Sequence, residues 1–379
     1  MNLFNRIADR FSKVQPLPAG THHLQAVEDQ KPYRLHLRLH SDGSGILIFN
    51  ASTVLQLNPT AAEYAFHFIK GTSPEEAARH ISARYRVNRK TALADFNRFA
   101  DRIHTLISAP DLDPVSFLDF ERAQPHSTAS ALRLDCAITY RLPEHTSADH
   151  APVKRVDREL TTAEWQTIID KAWRAGIPHI VFTGGEATLR EDLPQLIAHV
   201  EKNGQVCGLL TDGLKLADKN YLSALLQTGL DHVMLVLQPH EPLSWEAVEI
   251  IVPQDLFLTV HLTLTKGNVK EANNILHRLS DLGLGNISLS AAEEGLEEEM
   301  LELQSLAQSL NLNLRWDLPV PYSASHPVAI ETVDDEIPAG AGKTWLYIEP
   351  DGDVLPAQGE ADKILGNFLK DEWETIYQN

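Results

Sequence analysis

Val181-Phe182-Thr183-Gly184-Gly185-Glu186-Ala187-Thr188-Leu189-Arg190 begins as a short apolar run and stops on two glycines and a glutamate. Glycine has no Cβ, so such an ending lets the backbone approach a neighbour or a ligand closely. If the run is a parallel strand, Glu186 stands at its carboxyl end, where α/β sheets bind their ligands. The flanks support that reading. Upstream, Thr161 with Glu164 three residues on is a capping box, and Trp165, Ile168, Ile169, Ala172 and Trp173 form an apolar stripe that Gly176 ends. Downstream, Leu193, Leu196, Ile197 and Val200 repeat at helical spacing. Strands are expected at 132–139, 179–183, 206–210, 232–237, 256–263 and 286–289, with helical segments between most of them. Six β/α units in series predict a parallel sheet with right-handed crossovers. Periodicity leaves an open stack and a partial barrel equally possible.

Before this region the pattern differs. Tyr33 to His40 reads as a strand, Ser41-Asp42-Gly43-Ser44 as a hairpin turn, and Ile46 to Phe49 and Thr53 to Leu57 as two more strands. Asn58-Pro59-Thr60 opens a helix that Gly71 closes. Ser73, Pro74 and Glu76 start a second, and Leu93, Phe96, Ala100, Ile103 and Ile107 mark a third. The expectation is three strands followed by three helices over residues 25–107. Residues 1–24 hold a lead-in whose Leu3, Phe4, Ile7, Ala8 and Phe11 suit a helix docked on the protein. Residues 108–130, with Pro110, Pro114, Pro125 and Ser127-Thr128-Ala129-Ser130, read as a linker. The main domain is expected over 131–318. A tail over 319–379 carries a hairpin signature, Leu346 to Ala357, turning at Asp351-Gly352.

Composition narrows the function. The chain has 379 residues, 43% hydrophobic and 22% charged, with a net charge of −19 that disfavours nucleic acid. The acidic stretch Glu293, Glu294, Glu297, Glu298, Glu299 and Glu302 reads as a solvated helix face. No apolar run has the length of a membrane span. The two cysteines, Cys136 and Cys207, lie in apolar runs, which excludes a disulfide scaffold and suits a reducing, cytoplasmic setting. There is no nucleophile elbow. Ala341-Gly342-Lys343-Thr344 copies only the end of a phosphate-binding loop.

In this setting Gly184-Gly185-Glu186-Ala187-Thr188-Leu189 resembles the Gly-Gly-Glu-Pro-Thr-Leu motif of radical-SAM enzymes. Glu159-Leu160-Thr161 and Thr211-Asp212-Gly213 are similar to that family's first-helix and third-strand signatures. The resemblance covers most of the chain from Ala131 onward. It implies a partial (β/α)6 TIM-type barrel, so the fold class is α/β with a small N-terminal winged-helix-like α+β domain and a short C-terminal β-hairpin/helix extension. It also implies a site for S-adenosylmethionine at Thr183, Gly184, Gly185, Glu186, Thr211 and Asp212. Leu57-Asn58-Pro59-Thr60-Ala61 and Gly71-Thr72 resemble a PqqD-like peptide-recognition domain, which implies a leader peptide added as a strand at a sheet edge. The tail resembles a SPASM/Twitch extension, which often holds auxiliary clusters.

The departures from the family are equally legible. Its three cluster cysteines fall here on Leu142, Thr146 and Asp149, and its tail cysteines on Ala339 and Ala357. An iron–sulfur cluster takes thiolate ligands. Ala187 replaces the motif's proline, and Val236-Leu237-Gln238 stands for Ser-Leu-Asp. These losses lead to the expectation of a cluster-free pseudoenzyme with no catalytic residue, binding a peptide or protein partner in a ribosomal-peptide or cofactor maturation context. On that reading no cofactor is expected, S-adenosylmethionine binds weakly, and no 4Fe-4S cluster forms. The alternatives are non-radical chemistry with S-adenosylmethionine or a metal at the barrel mouth, and a scaffold partner of an active radical-SAM enzyme. His145 and His150 are the only metal candidates, at a spacing that matches no compact site.

Overall fold

The structure is a computed structural model. It describes residues 16–28, 31–49, 53–85, 87–109, 121–122, 131–144, 146–254, 256–315, 318–332 and 340–378. The lead-in stripe from Leu3 to Phe11, most of the linker, His145 and Ala339 lie outside the described residues. Two compact units divide the chain, Met1–Ala129 and Ser130–Asn379.

The front unit is an antiparallel sheet with three helices. Its strands are β1 (Gly20–Glu28), β2 (Lys31–Leu39), β3 (Gly45–Phe49), β4 (Thr53–Leu57) and the two-residue β5 (Glu121–Arg122), hydrogen-bonded in that order. Alternation along β2 sends Leu35, Leu37 and Leu39 to the core. The helices are α1 (Pro59–Ile69), α2 (Pro74–Tyr85) and α3 (Arg89–Ser108). Asn58 caps the first by accepting from the Ala61 amide at 2.9 Å, and Asn88 caps the third from Thr91 at 2.8 Å. Ala62, Ala65, Ala77, Ile81, Phe96 and Ile103 close the core beneath the sheet. Two details differ from the sequence reading. A fourth strand, β1, precedes the expected three, and part of the linker pairs with β4, Leu55 opposite Arg122.

The second unit is a sheet of ten strands in the order β12-β11-β10-β9-β8-β7-β6-β13-β14-β15. Six parallel strands alternate with helices: β6 (Arg133–Thr139), α4 (Thr162–Arg174), β7 (His179–Gly184), α5 (Leu193–Lys202), β8 (Val206–Thr211), α6 (Lys219–Gln227), β9 (His232–Val236), α7 (Pro242–Ile251), β10 (Phe257–Leu264), α8 (Ala272–Asp281) and β11 (Asn286–Ala291). Then α9 (Glu297–Ser309) leads to a seventh parallel strand, β12 (Asn313–Leu314). This is a mixed α/β fold around a parallel sheet. The sheet stays open between its outermost strands. Its two faces are distinct: Ile180 and Phe182 join the large helix-side core, whereas Val181 packs on the opposite face with Leu210, Met234 and Leu318.

The tail is not a separate appendage. Its hairpin, β13 (Trp345–Ile348) and β14 (Asp353–Leu355), extends the parallel sheet, with β13 parallel to β6 in the register Trp345 to Arg133. A last strand, β15 (Gly366–Asn367), and the helix α10 (Trp373–Gln378) follow. Lys171 in α4 donates to the carbonyls of Phe368 and Asp371, binding the tail to the first barrel helix. Local sequence cannot reveal such a pairing, because each partner strand reads as an ordinary apolar run.

The capping box predicted at Thr161 is present, with the Thr161 amide 2.9 Å from the Glu164 carboxylate and the Glu164 amide on the Thr161 hydroxyl. Thr161→Ala should remove about 1 kcal/mol of stability. In a unit of this size that is a loss of about 2–4 °C in melting temperature. Calorimetry of the variant checks it, and an unchanged melt would mean that water caps the helix equally well. Among the described residues, no helix is long and apolar enough to cross a membrane.

Candidate functional site

The glycines predicted to matter interlock two strand ends. Gly184 has φ +126°, and a Cβ built on it would lie 2.1 Å from the Thr139 carbonyl oxygen. One on Gly185 would lie 2.3 Å from the Arg141 oxygen. The closeness is used: the Gly185 amide donates to Thr139 O and the Glu186 amide to Arg141 O, each at 2.8 Å. The end of β7 is thereby fastened to the loop leaving β6, and that fastening fixes where Glu186 points.

Glu186 is buried, with 4% of its surface exposed. Its Oε1 accepts from the Thr188 amide (2.8 Å), the Thr188 hydroxyl (2.5 Å) and the Thr211 hydroxyl (2.7 Å), and its Oε2 from the Asp212 amide (2.8 Å). Four donors converging on one carboxyl group suit an ionised acceptor. Asp212, at the end of β8, is nearly buried beside it. Burial, and then the Glu186 charge, push its carboxyl up to about 8. The structure therefore brings Gly184, Gly185, Glu186, Thr211 and Asp212 into one cluster. Thr183 sits just beneath in β7, fully buried, its hydroxyl without a hydrogen-bond partner among the described residues.

This cluster forms one wall of a cavity of about 530 Å³ at the carboxyl ends of the strands. Gln238, His240, Thr265 and Asn268 line it from the loops after β9 and β10, and Pro321–Ser325 from the segment after β12. Of these, sequence reading singled out only Gln238, as the end of Val236-Leu237-Gln238; it missed the others, which no motif contains. Their position just past strand ends was the available signal. Tyr322 anchors that segment, its amide donating to Gly184 O at 2.8 Å and its ring standing edge-on to Tyr140.

The residues on which the resemblance places cluster ligands make other contacts. Leu142 packs against the apolar group of Tyr140, Tyr322, Tyr347 and Leu355. Thr146 lines the cavity, and its amide donates to Pro143 O. Asp149 is exposed in a short 3-10 turn capped by Ser147. Ala357 is buried after β14. His150 is half-buried in the same turn. Among the described residues, no group of three or more His, Cys, Asp or Glu is placed to hold a metal. Cys136 and Cys207 lie fully buried in β6 and β8, and burial pushes the Cys136 thiol up. This donor set does not fit a thiolate-held iron–sulfur cluster.

Residues 136–290 match the family model of the Radical SAM superfamily. The PqqA peptide cyclase of Streptomyces rochei is 29% identical over 244 residues, 58% of this chain and 67% of that protein. The PqqA peptide cyclase of Bradyrhizobium diazoefficiens is 25% identical over 277 residues, 66% of this chain and 72% of that protein. Two solved structures of Streptococcus suis SuiB share the fold. One, bound to S-adenosylmethionine, has a TM-score of 0.59 at 13% identity. The other, bound to the precursor peptide SuiA, has a TM-score of 0.58 at 14% identity. Each covers 93% of this chain and 88% of SuiB.

These comparisons correct the expectation of a cluster-free pseudoenzyme for which no cofactor is expected. The relatives bear the name of a peptide cyclase, and a protein of the same fold holds S-adenosylmethionine. The physical reason for the error lies in how far one loop was made to speak. Missing thiolates at Leu142, Thr146 and Asp149 bear on the ligands of one group. They leave the Glu186 cradle and its cavity intact.

Proposed function

We propose that the barrel mouth binds S-adenosylmethionine and that the protein takes part in maturing a ribosomally made peptide; the support is that its relatives are named PqqA peptide cyclase. The observation that carries this reading is Glu186, a buried carboxylate fixed by four donors at the wall of a cavity sized for a small molecule. Glu186 receives the amino group of the methionine moiety. Gly184 and Gly185 hold that carboxylate in place, and Thr183, Thr211 and Asp212 complete the cradle. Bound S-adenosylmethionine supplies carbon activated by its sulfonium. The chain's own groups bind it, orient it and exclude water with Tyr322 and its neighbours.

The front unit, over 25–107, is read as a PqqD-like peptide-recognition domain, and 319–379 as a SPASM/Twitch-like extension of the barrel at 131–318. Among the described residues β1 is an outermost strand of the antiparallel sheet, and an edge strand suits recognition by strand addition. A peptide is therefore the expected partner.

Titration calorimetry with S-adenosylmethionine tests the reading. Saturable one-to-one binding is expected, with a rise in melting temperature. A ligand at a hundred times its Kd adds about 2.7 kcal/mol to stability. No heat and no shift up to about 1 mM ligand, an affinity of about −4 kcal/mol, would overturn it.

A further inference from the structure

We infer that Asp212 is a second carboxylate for the ligand's cationic amine, and that Glu186 and Asp212 together take up an ammonium group with release of a proton to solvent. This rests on the reading of the mouth as an S-adenosylmethionine site and names what that site selects.

The placement of Asp212 is built in. Gly213 follows it at φ +77°, and a Cβ there would lie 2.4 Å from Leu235 Cδ1, so the chain turns tightly against β9. The turn leaves the Asp212 amide on Glu186 Oε2 and its Oδ1 accepting the Leu214 amide at 3.0 Å. Its backbone amide is hydrogen-bonded to Glu186, and both residues line the cavity. Among the described lining residues, Glu186, Asp212 and Glu241 carry carboxylates and none is Lys or Arg. The cavity suits a cation.

The charged and titratable groups around the pair come from three elements. Lys215, in the turn after Gly213, donates to Thr188 O at 2.9 Å and lies over the Tyr221 ring. Tyr221 in α6 is held above its ordinary value by burial and by Glu186. His240 and Glu241 face the cavity from the loop after β9. With the Asp212 carboxyl at about 8, the free site keeps a proton in neutral solution. An ammonium between the two carboxyl groups favours the ionised form. The balance is one ammonium in and one carboxyl proton out, so the site's charge changes by no more than the ligand demands. A ligand without an amine leaves the proton where it is.

The sign of the pH dependence follows. Below about 8 the incoming ammonium must displace the proton, so affinity rises with pH, by up to about tenfold per unit well below 8, and falls above about 8, where the ligand's own α-amine, ordinarily about 7.7–8.0, loses its proton. Calorimetry at pH 7 in two buffers of different ionisation enthalpy reads the proton directly. S-adenosylmethionine should release close to one proton per site. Methylthioadenosine, which lacks the amine, should release none. Asp212→Asn should bind S-adenosylmethionine with no proton release and a profile flat from about pH 6 to about 7, falling only as the ligand's amine loses its proton. Binding by the wild-type protein without proton exchange, or equal release with methylthioadenosine, would overturn the inference and leave the proposed function standing. Failure of wild-type protein to bind S-adenosylmethionine at all would remove both. The methylthioadenosine comparison decides the matter even if the Asn variant does not fold.

Discussion

Glu186→Gln is expected to weaken S-adenosylmethionine binding by about 30-fold or more, while the protein still folds. Removing one charge of a buried, hydrogen-bonded charge pair costs about 2–5 kcal/mol of affinity. Here the pair would form between the carboxylate and the ligand's amine. Glutamine keeps the shape and one carbonyl oxygen. Its amide nitrogen, however, must face either the donors of Thr188 and Thr211 or the amide of Asp212. A donor set against a donor leaves a buried group unsatisfied, at about 1–3 kcal/mol. A modest loss of stability should therefore accompany the loss of binding. Calorimetry and a melt on the same sample separate the two effects. An unchanged Kd would mean that Glu186 is a structural anchor for the loop after β8 and that the ligand, if any, sits elsewhere.

Gly184→Ala should remove about 2–6 kcal/mol of stability and Gly185→Ala about 1–3 kcal/mol. Two costs combine. Overpacking typically costs about 1–3 kcal/mol. A backbone conformation that L residues rarely adopt adds about 1–3 kcal/mol at Gly184. The obstructing atoms are backbone oxygens of Thr139 and Arg141, which cannot rotate away as a flexible side chain would. Relief would require parting the ends of β6 and β7, with loss of the Gly185 and Glu186 amide bonds. Because the residues are adjacent and share these contacts, the double variant should lose less than the sum. Chemical denaturation measures all three. A change within about 0.5 kcal/mol, the usual range for a neutral surface site, would show that the two strand ends do not interlock in solution.

Much of the barrel was legible because burial on both faces makes parallel strands read as continuous apolar runs. β6 to β11 each begin or end within a residue or two of expectation. The Thr161 box and the glycine pair were legible for a related reason, since each is a local geometric demand met by few residue types. β1 escaped notice because Thr21, His22, His23 and Gln25 make a polar, half-exposed strand without apolar alternation. The pairing of β13 with β6 escaped because register between distant segments leaves no local mark. At the site, Glu186 and Asp212 were named in advance, but their sharing of one wall depends on the Gly213 turn. The cavity's far side, from Gln238 to Ser325, was assembled by the fold from residues that look unremarkable in a row. The pseudoenzyme expectation failed for a different reason. An absent ligand set constrains only what that set would have held, and the relatives bear the name of a peptide cyclase.

The union of β13 with β6 has a consequence for biosynthesis. Strand β6 receives its second neighbour only when the ribosome has made about two hundred further residues. Until then the first strand of the barrel presents a bare row of backbone donors and acceptors, the arrangement that invites pairing with another nascent chain. Closing so long a loop adds only slowly to the entropic penalty, which grows with the logarithm of its length. The delay is therefore a hazard of timing more than of equilibrium. Shielding of that edge during synthesis, by a chaperone or by a transient partner, would govern the yield of native protein as much as the stability of the finished fold.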